Sequence, residues 1–395
     1  MSWFGAALFC AIAGLAAGAP QNEAVARQLG TYIADGALAG AMVIVADRDK
    51  VISEDIAGWA DLQAKVPLRS DHLFWIASMT KPMTAVAVMM LQDEGKLRID
   101  DPVAKHLPEF AGQGMLAASP GGPPSPVRPI TLRDLLTHTA GLSEVPAARP
   151  DLSLAELVAT YAQAPLRHPP GSRWEYSNAG INTLGRIVEV AAGERFERFL
   201  QRRLLDPLGM VDTTFWPSPA QAARLAKVYR RNEDDPGLAE VPNMIITTSV
   251  TDASRTPLPA GGLYSTAADL LAFYRFMLNG GQAGGRRLLS PEAHQLLTHT
   301  QSGDLPTGFT PGMSWGLGFQ VVKAPQGATA MFSPGTYGHG GAYATQSWAD
   351  PVQGRILIFL VQQAGLGNSD AWPIRAVLQN AAVLRDQKSP VSELR

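Results

Sequence analysis

Ser78-Met79-Thr80-Lys81-Pro82-Met83-Thr84-Ala85-Val86-Ala87-Val88-Met89-Met90-Leu91-Gln92-Asp93-Glu94 is the stretch on which the reading of this chain turns. Ala85, Val86, Val88, Met89, Met90 and Leu91 leave it no polar face, so the spacing predicts a helix buried on all sides. Gly95 supplies the stop, and Pro82 is tolerable because it falls within the first turn. A helix of this kind needs layers of structure around it.

Its first turn also carries chemistry. Ser78 and Lys81 stand three residues apart on one helical face. A serine is a weak nucleophile until a base takes its proton, and the free amides of a helix N-terminus suit a developing oxyanion. A lysine set against apolar residues is partly desolvated, which favours the neutral amine and makes it a candidate base. The plainer reading of the same four residues is a serine N-cap followed by a lysine that snorkels to solvent.

Moving outward, residues 23–34 have helical spacing, and residues 40–46 read as a strand that turns at 47–50 into a second strand over 51–57. Near the other end, residues 343–348 alternate, 350–354 form a turn, 355–361 are an apolar strand, and 371–384 a last helix. Between these ends the chain is mainly helical, with helices over 131–136, 178–192 and 266–278 and a Pro/Gly-rich loop over 119–129. The expected architecture is α+β: an antiparallel sheet built from both termini with flanking helices, and an inserted, mainly helical lobe. The boundaries expected are 20–70 with 260–395 for the sheet domain and 71–259 for the helical domain.

Composition narrows the function. The 395 residues are 46% hydrophobic and 17% charged with a net charge of −2, ordinary for a globular enzyme. A nucleic-acid partner calls for a basic stripe, and the sequence has none. The seven histidines are scattered and no Cys/His cluster has zinc spacing, so neither a metal nor a cofactor is expected. Residues 1–19 read as a secretory signal: 3–17 are apolar or small, and Ala16-Ala17-Gly18-Ala19-Pro20 offers a cleavage site. An uncleaved N-terminal anchor is the rival reading, and it is the sole membrane association expected. Cys10 lies inside this segment, so the mature protein would carry no thiol. The expected location is periplasmic or secreted. Nothing in the sequence indicates the oligomeric state.

Two further motifs follow in order. Tyr176-Ser177-Asn178 comes after Pro169-Pro170-Gly171 and opens a helix. A tyrosine beside a lysine ammonium has its phenolate favoured and can shuttle protons, and Asn178 offers Lys81 an acceptor and a substrate carbonyl a donor. The competing reading is an Asn N-cap with a packing tyrosine. His339-Gly340-Gly341-Ala342 leads toward a strand beginning near Tyr343, where glycine lets the backbone approach a ligand and the next amide face an oxyanion. Its competitor is a plain turn. Gly312-Met313-Ser314-Trp315-Gly316 spells the nucleophile elbow of another hydrolase fold. It lacks the strand before and helix after, and no acid separates Ser314 from His339, the sole later histidine. His138 reads as structural, and Tyr343 and Trp348 read equally as acyl-pocket lining or as sheet packing.

Taken together these residues resemble the serine β-lactamase and penicillin-binding-protein superfamily, in its class C-like branch, closest in pattern to the family VIII carboxylesterases. The likeness extends to Leu135-Leu136-Thr137-His138-Thr139-Ala140-Gly141-Leu142, to Ala260-Gly261-Gly262-Leu263-Tyr264-Ser265-Thr266 and to Trp315-Gly316-Leu317-Gly318-Phe319, spanning about residues 25–385. By matching position it implies a β-lactamase/transpeptidase-like fold, Ser78 as the acylated nucleophile and Lys81 with Tyr176 as the proton-transfer pair. Asn178 would position substrate, and the amides of Ser78 and Ala342 would form the oxyanion hole. One departure matters: His339-Gly340-Gly341 stands where β-lactamases and transpeptidases of this type carry Lys-Thr-Gly. A histidine is at best partly protonated near neutral pH and Gly340 has no hydroxyl, so anchoring of a substrate carboxylate should suffer. The expected function is hydrolysis of short-chain carboxylic esters through a Ser78 acyl-enzyme. The alternatives are a β-lactamase or D-amino-acid peptidase, an acyltransferase using the same site, and a non-catalytic binding protein on the same fold.

Overall fold

A computed structural model describes residues 19–115, 127–146, 150–231, 237–243, 248–366 and 369–383. The expected signal segment, Cys10, most of the 119–129 loop and parts of 230–257 lie outside the described residues.

An eight-stranded antiparallel sheet organises the molecule. Its strands are β1 (Gly40–Ala46), β2 (Val51–Asp61), β3 (Val66–Pro67), β4 (Met313–Trp315), β5 (Gln320–Val322), β6 (Tyr337–Gly340), β7 (Gln346–Asp350) and β8 (Arg355–Val361), ordered β4-β5-β6-β7-β8-β1-β2-β3. The strands thus come from both ends of the sequence, and the two termini meet where β1 pairs with β8, Val43 opposite Phe359. The β1–β2 and β7–β8 turns are each tied by an aspartate. Asp47 Oδ1 accepts from the amides of Asp49 and Lys50 at 2.9 and 2.8 Å, and Asp350 Oδ1 from those of Val352 and Gln353 at 3.0 and 2.9 Å.

All seven residues of β1 are buried, which explains why its sequence is uninterruptedly apolar rather than alternating. Met42 and Ile44 face one core, and Ala41, Val43 and Val45 face the other. The second core is closed by helix α1 (Glu23–Ala34), through Val25 and Leu29, and by the last helix, through Leu378 and Ala382. The first core is the larger and holds helices α2 (Thr80–Asp93), α3 (Asn178–Ala192) and α4 (Ala267–Leu278). Every residue of α2 from Thr80 to Leu91 is buried, as its apolar perimeter requires. The last helix, α5, runs Pro373–Val383.

One expectation is corrected and one open choice is decided. The strand placed near residues 343–348 begins at Gln346, and residues 341–345 form the turn before it, so His339 and Gly340 lie on β6 itself. Trp348 is packing: it is buried against Phe332 at 5.5 Å between ring centroids, with the Arg375 guanidinium 5.4 Å from its ring.

Gly30 lies on the exposed side of α1, and a Cβ added there meets nothing within 4 Å. Gly30→Ala should therefore stabilise the protein by about 0.5–1 kcal/mol through helix propensity alone, read as an upward shift in thermal midpoint. A fall would show that α1 needs the glycine backbone.

Candidate active site

Ser78 sits in a single 3-10 turn, Ala77–Met79, which runs directly into α2. Ala77, just before it, is held at φ +46°, a left-handed conformation uncommon for a residue with a side chain. Such strain persists only where the surroundings over-determine the backbone. Here the 258–263 segment supplies that constraint. Leu263 carbonyl accepts from the Ile76 amide at 3.1 Å, Gly261 carbonyl accepts from Trp75 Nε1 at 2.7 Å, and Pro259 carbonyl accepts from Thr84 Oγ1 at 2.8 Å. Thr80 Oγ1 donates to the Ala77 carbonyl at 2.7 Å and accepts from the Leu263 amide at 3.2 Å.

Lys81 is wholly buried, and its Nζ meets three oxygens: Ser78 Oγ at 3.0 Å, Asn178 Oδ1 at 2.8 Å and the Ala260 carbonyl at 2.6 Å. Burial lowers its pKa to about 7, with the Glu144 carboxylate opposing the shift. The geometry suits the neutral amine: two N–H groups satisfy Asn178 and Ala260, which leaves the lone pair for the Ser78 hydroxyl proton.

Tyr176 completes the group. Its ring lies 4.7 Å from Lys81 Nζ, and the Ser78 hydroxyl favours its ionised form. Burial raises the phenol pKa well above its ordinary value, and the Asp370 and Glu144 carboxylates add to this. This corrects the expectation of a favoured phenolate. Lys81 is the group that readily gives up its proton, and Tyr176 is the group that keeps one.

The tyrosine is held from behind. His138, at φ +59°, packs its ring 4.6 Å from that of Tyr176 and accepts the Ser177 amide on Nδ1 at 3.1 Å. Burial and the nearby Lys81 push His138 well below the ordinary histidine range, so it stays neutral. Trp315 stands edge-on to His138 at 4.9 Å, while Trp174 and the exposed Phe309 extend an aromatic wall, Phe309 lying 5.1 Å from Tyr176. The three longer segments quoted above thus meet here: the Leu136 carbonyl accepts from the Gly318 amide at 2.9 Å, and Gly318 leaves only 2.5 Å between a would-be Cβ and Ala85.

Asn178 is the first residue of α3, and Ser177 rather than Asn178 is the N-cap, its Oγ accepting from the Gly180 amide at 3.0 Å. Glu144 adds a carboxylate there, accepting from Ser177 Oγ at 2.8 Å and from the Ala179 amide at 3.0 Å, a placement the helix dipole favours. The sequence reading missed Glu144, an isolated acid in no motif.

His339 is buried on β6 and hydrogen-bonds the Gly340 carbonyl through Nδ1 at 2.6 Å, so Nδ1 carries the proton of the neutral ring. Burial, reinforced by Lys81, lowers its pKa to about 3. Gly341 brings the end of β6 against the nucleophile turn: a Cβ there would stand 2.6 Å from the Ile76 carbonyl oxygen and 2.1 Å from Thr345 Oγ1. Ala342, next in the chain, is exposed. Ser314 lies inside β4, buried and bonded to Ser302 Oγ at 3.2 Å, far from the surroundings of an exposed elbow serine.

Gly341→Ala should cost on the order of 1–3 kcal/mol of stability, because β6 must retreat from Ile76 or Thr345 must move. Chemical denaturation checks this, and an unchanged midpoint would show that the contact is not tight.

Comparison with known proteins gives the family. A beta-lactamase family model matches residues 23–381. Protein Rv1367c of Mycobacterium tuberculosis is 38% identical over 357 residues, covering 83% of this chain and 86% of its own. Esterase EstB of Burkholderia gladioli is 30% identical over 386 residues, covering 88% and 91%. The solved structure of EstCE1, described as a hydrolase with promiscuous acyltransferase activity, superposes with a TM-score of 0.75 at 25% identity, covering 91% of this chain and 98% of that one. With that coverage and the Ser78, Lys81 and Tyr176 cluster in place, this chain belongs to the β-lactamase family and is one of its serine hydrolases.

Proposed function

We propose that this protein hydrolyses short-chain carboxylic esters through an acyl-enzyme on Ser78. The observation that carries the reading is the Lys81 amine, buried, depressed to about 7 and 3.0 Å from Ser78 Oγ. Lys81 accepts the Ser78 proton as Oγ bonds to the ester carbonyl carbon, and the amides of Ser78 and Ala342 receive the negative charge that forms on its oxygen. As the C–O bond breaks, Tyr176 gives its phenolic proton to the leaving alkoxide and regains one from the Lys81 ammonium. Water then attacks the acyl carbon, giving up a proton along the same path, and Ser78 leaves reprotonated. Asn178 holds the lysine and the substrate together. His138 and Glu144 act through Tyr176 and α3 as positioning residues.

Ester rather than lactam chemistry follows from the β6 end of the site. His339 is neutral and Gly340 bears no side chain, so neither gives a carboxylate a charge or a hydroxyl to bind. EstB is named an esterase, which supports the same reading. Export, directed by residues 1–19, belongs to this proposal as well. Acyl transfer to an alcohol is a second use of the same intermediate, and EstCE1's description favours keeping it in view.

The wild-type protein should turn over p-nitrophenyl butyrate with a kcat/KM at least a hundredfold above that for nitrocefin, and Ser78→Ala should remove the ester activity. The reverse ratio would make the protein a β-lactamase. Substantial ester turnover by a folded Ser78→Ala variant would overturn the assignment of the nucleophile.

A further inference from the structure

Asp370 precedes α5 and lies buried behind β6. Its Oδ1 accepts from Gln346 Nε2 at 2.9 Å and Arg375 Nη1 at 3.2 Å, and its Oδ2 accepts from Gln320 Nε2 at 3.1 Å. This carboxylate fills the space beside Gly340. A Cβ on Gly340 would stand 2.7 Å from Asp370 Oδ1 and 2.4 Å from Gln346 Nε2. The glycine thus leaves room for the carboxylate and for Gln346 beside it.

The cation of this pair is enclosed. Arg375 is 1% exposed; its Nη1 is bonded to the Asp370 carbonyl at 2.6 Å and to the carboxylate, its Nε to Gln379 at 3.0 Å, and its face lies on Trp348. The carboxylate is the end of the pair that lies beside Gly340, and it acts on both Tyr176 and His339. From the opposite side the Glu144 carboxylate acts on the same tyrosine. Two carboxylates thus act on Tyr176, and the guanidinium adjacent to one of them is tied up.

We infer that Asp370 is a specificity-determining residue: it fixes a negative charge beside Gly340 and keeps Arg375 from the site, so that neutral acyl groups are accepted and acyl groups ending in a carboxylate are rejected. This rests on the serine-esterase reading and names the substrate class within it. A like charge in a site shielded from water weakens binding of an anionic acyl chain much more than it would at an open surface.

The test uses two esters with the same leaving group, p-nitrophenyl pentanoate and the p-nitrophenyl monoester of adipic acid, whose acyl chain ends in a carboxylate. Wild-type kcat/KM should favour the pentanoate at least a hundredfold. Asp370→Asn should narrow the ratio at least tenfold by removing the charge and freeing Arg375. Leaving Arg375 buried without a counter-ion threatens folding, so a double variant, Asp370→Asn with Arg375→Met, removes both charges together. It should narrow the ratio at least threefold. A wild-type ratio within threefold of unity, or an unchanged ratio in a folded variant, would overturn the inference. A wild-type protein inert on the pentanoate, with Ser78 unlabelled by a fluorophosphonate, would instead remove the esterase reading and this inference with it.

Discussion

The structure depends on one buried amine. Lys81 Nζ lies out of water among Ser78 Oγ, Asn178 Oδ1 and the Ala260 carbonyl, and the proposed chemistry needs it there. Lowering a lysine from 10.5 to about 7 corresponds to about 5 kcal/mol in favour of the neutral form over the charged one. That preference is created by the layers packed around α2, every residue of which from Thr80 to Leu91 is buried. The same burial has a sign in stability. Between about pH 7 and 10.5 the unfolded chain holds a proton at Lys81 that the folded protein does not, so this group's contribution to stability grows as pH rises through that window.

Much of the surrounding backbone reads as the means of fixing that amine against its partners. The 258–263 segment is bonded to the nucleophile turn along its length, Ala77 is held in a left-handed conformation, and Gly341 admits β6 to within contact of Ile76. His138 and the Glu144–Ser177 cap do the same for Tyr176 and Asn178. The phenol and the amine are thereby kept distinct: the phenol retains its proton and the amine releases one. Different surroundings drive their pKa values apart, which assigns the base role to the amine and the acid role to the phenol.

The sheet and the reactive trio were legible in sequence because each is governed by a local rule. Residues 40–46 and 355–361 are apolar runs bounded by Asp-containing turns, and α2 declares its burial by having no polar side. Ser78, Lys81, Tyr176 and Asn178 come together in space as the family resemblance implied. What escaped the sequence is what depends on distant chain segments meeting. Glu144 reaches α3 across 35 residues, and Asp370 reaches β6 across 30, with no pattern in the linear order to announce either. The phenolate expectation for Tyr176 failed for a related reason: spacing suggests a neighbouring charge but says nothing of how deeply the ring is buried. The start of the strand at Gln346 rather than near Tyr343 came from alternation that continued through a turn.

The most direct test of the account is the ionisation of Lys81 itself. Protein carrying lysine labelled with carbon-13 at Cε, with the Lys81 resonance assigned by its loss in Lys81→Met, should show that resonance titrating near pH 7 in the wild-type enzyme. A midpoint above 9 would mean that the amine stays charged at neutral pH and cannot be the base that activates Ser78.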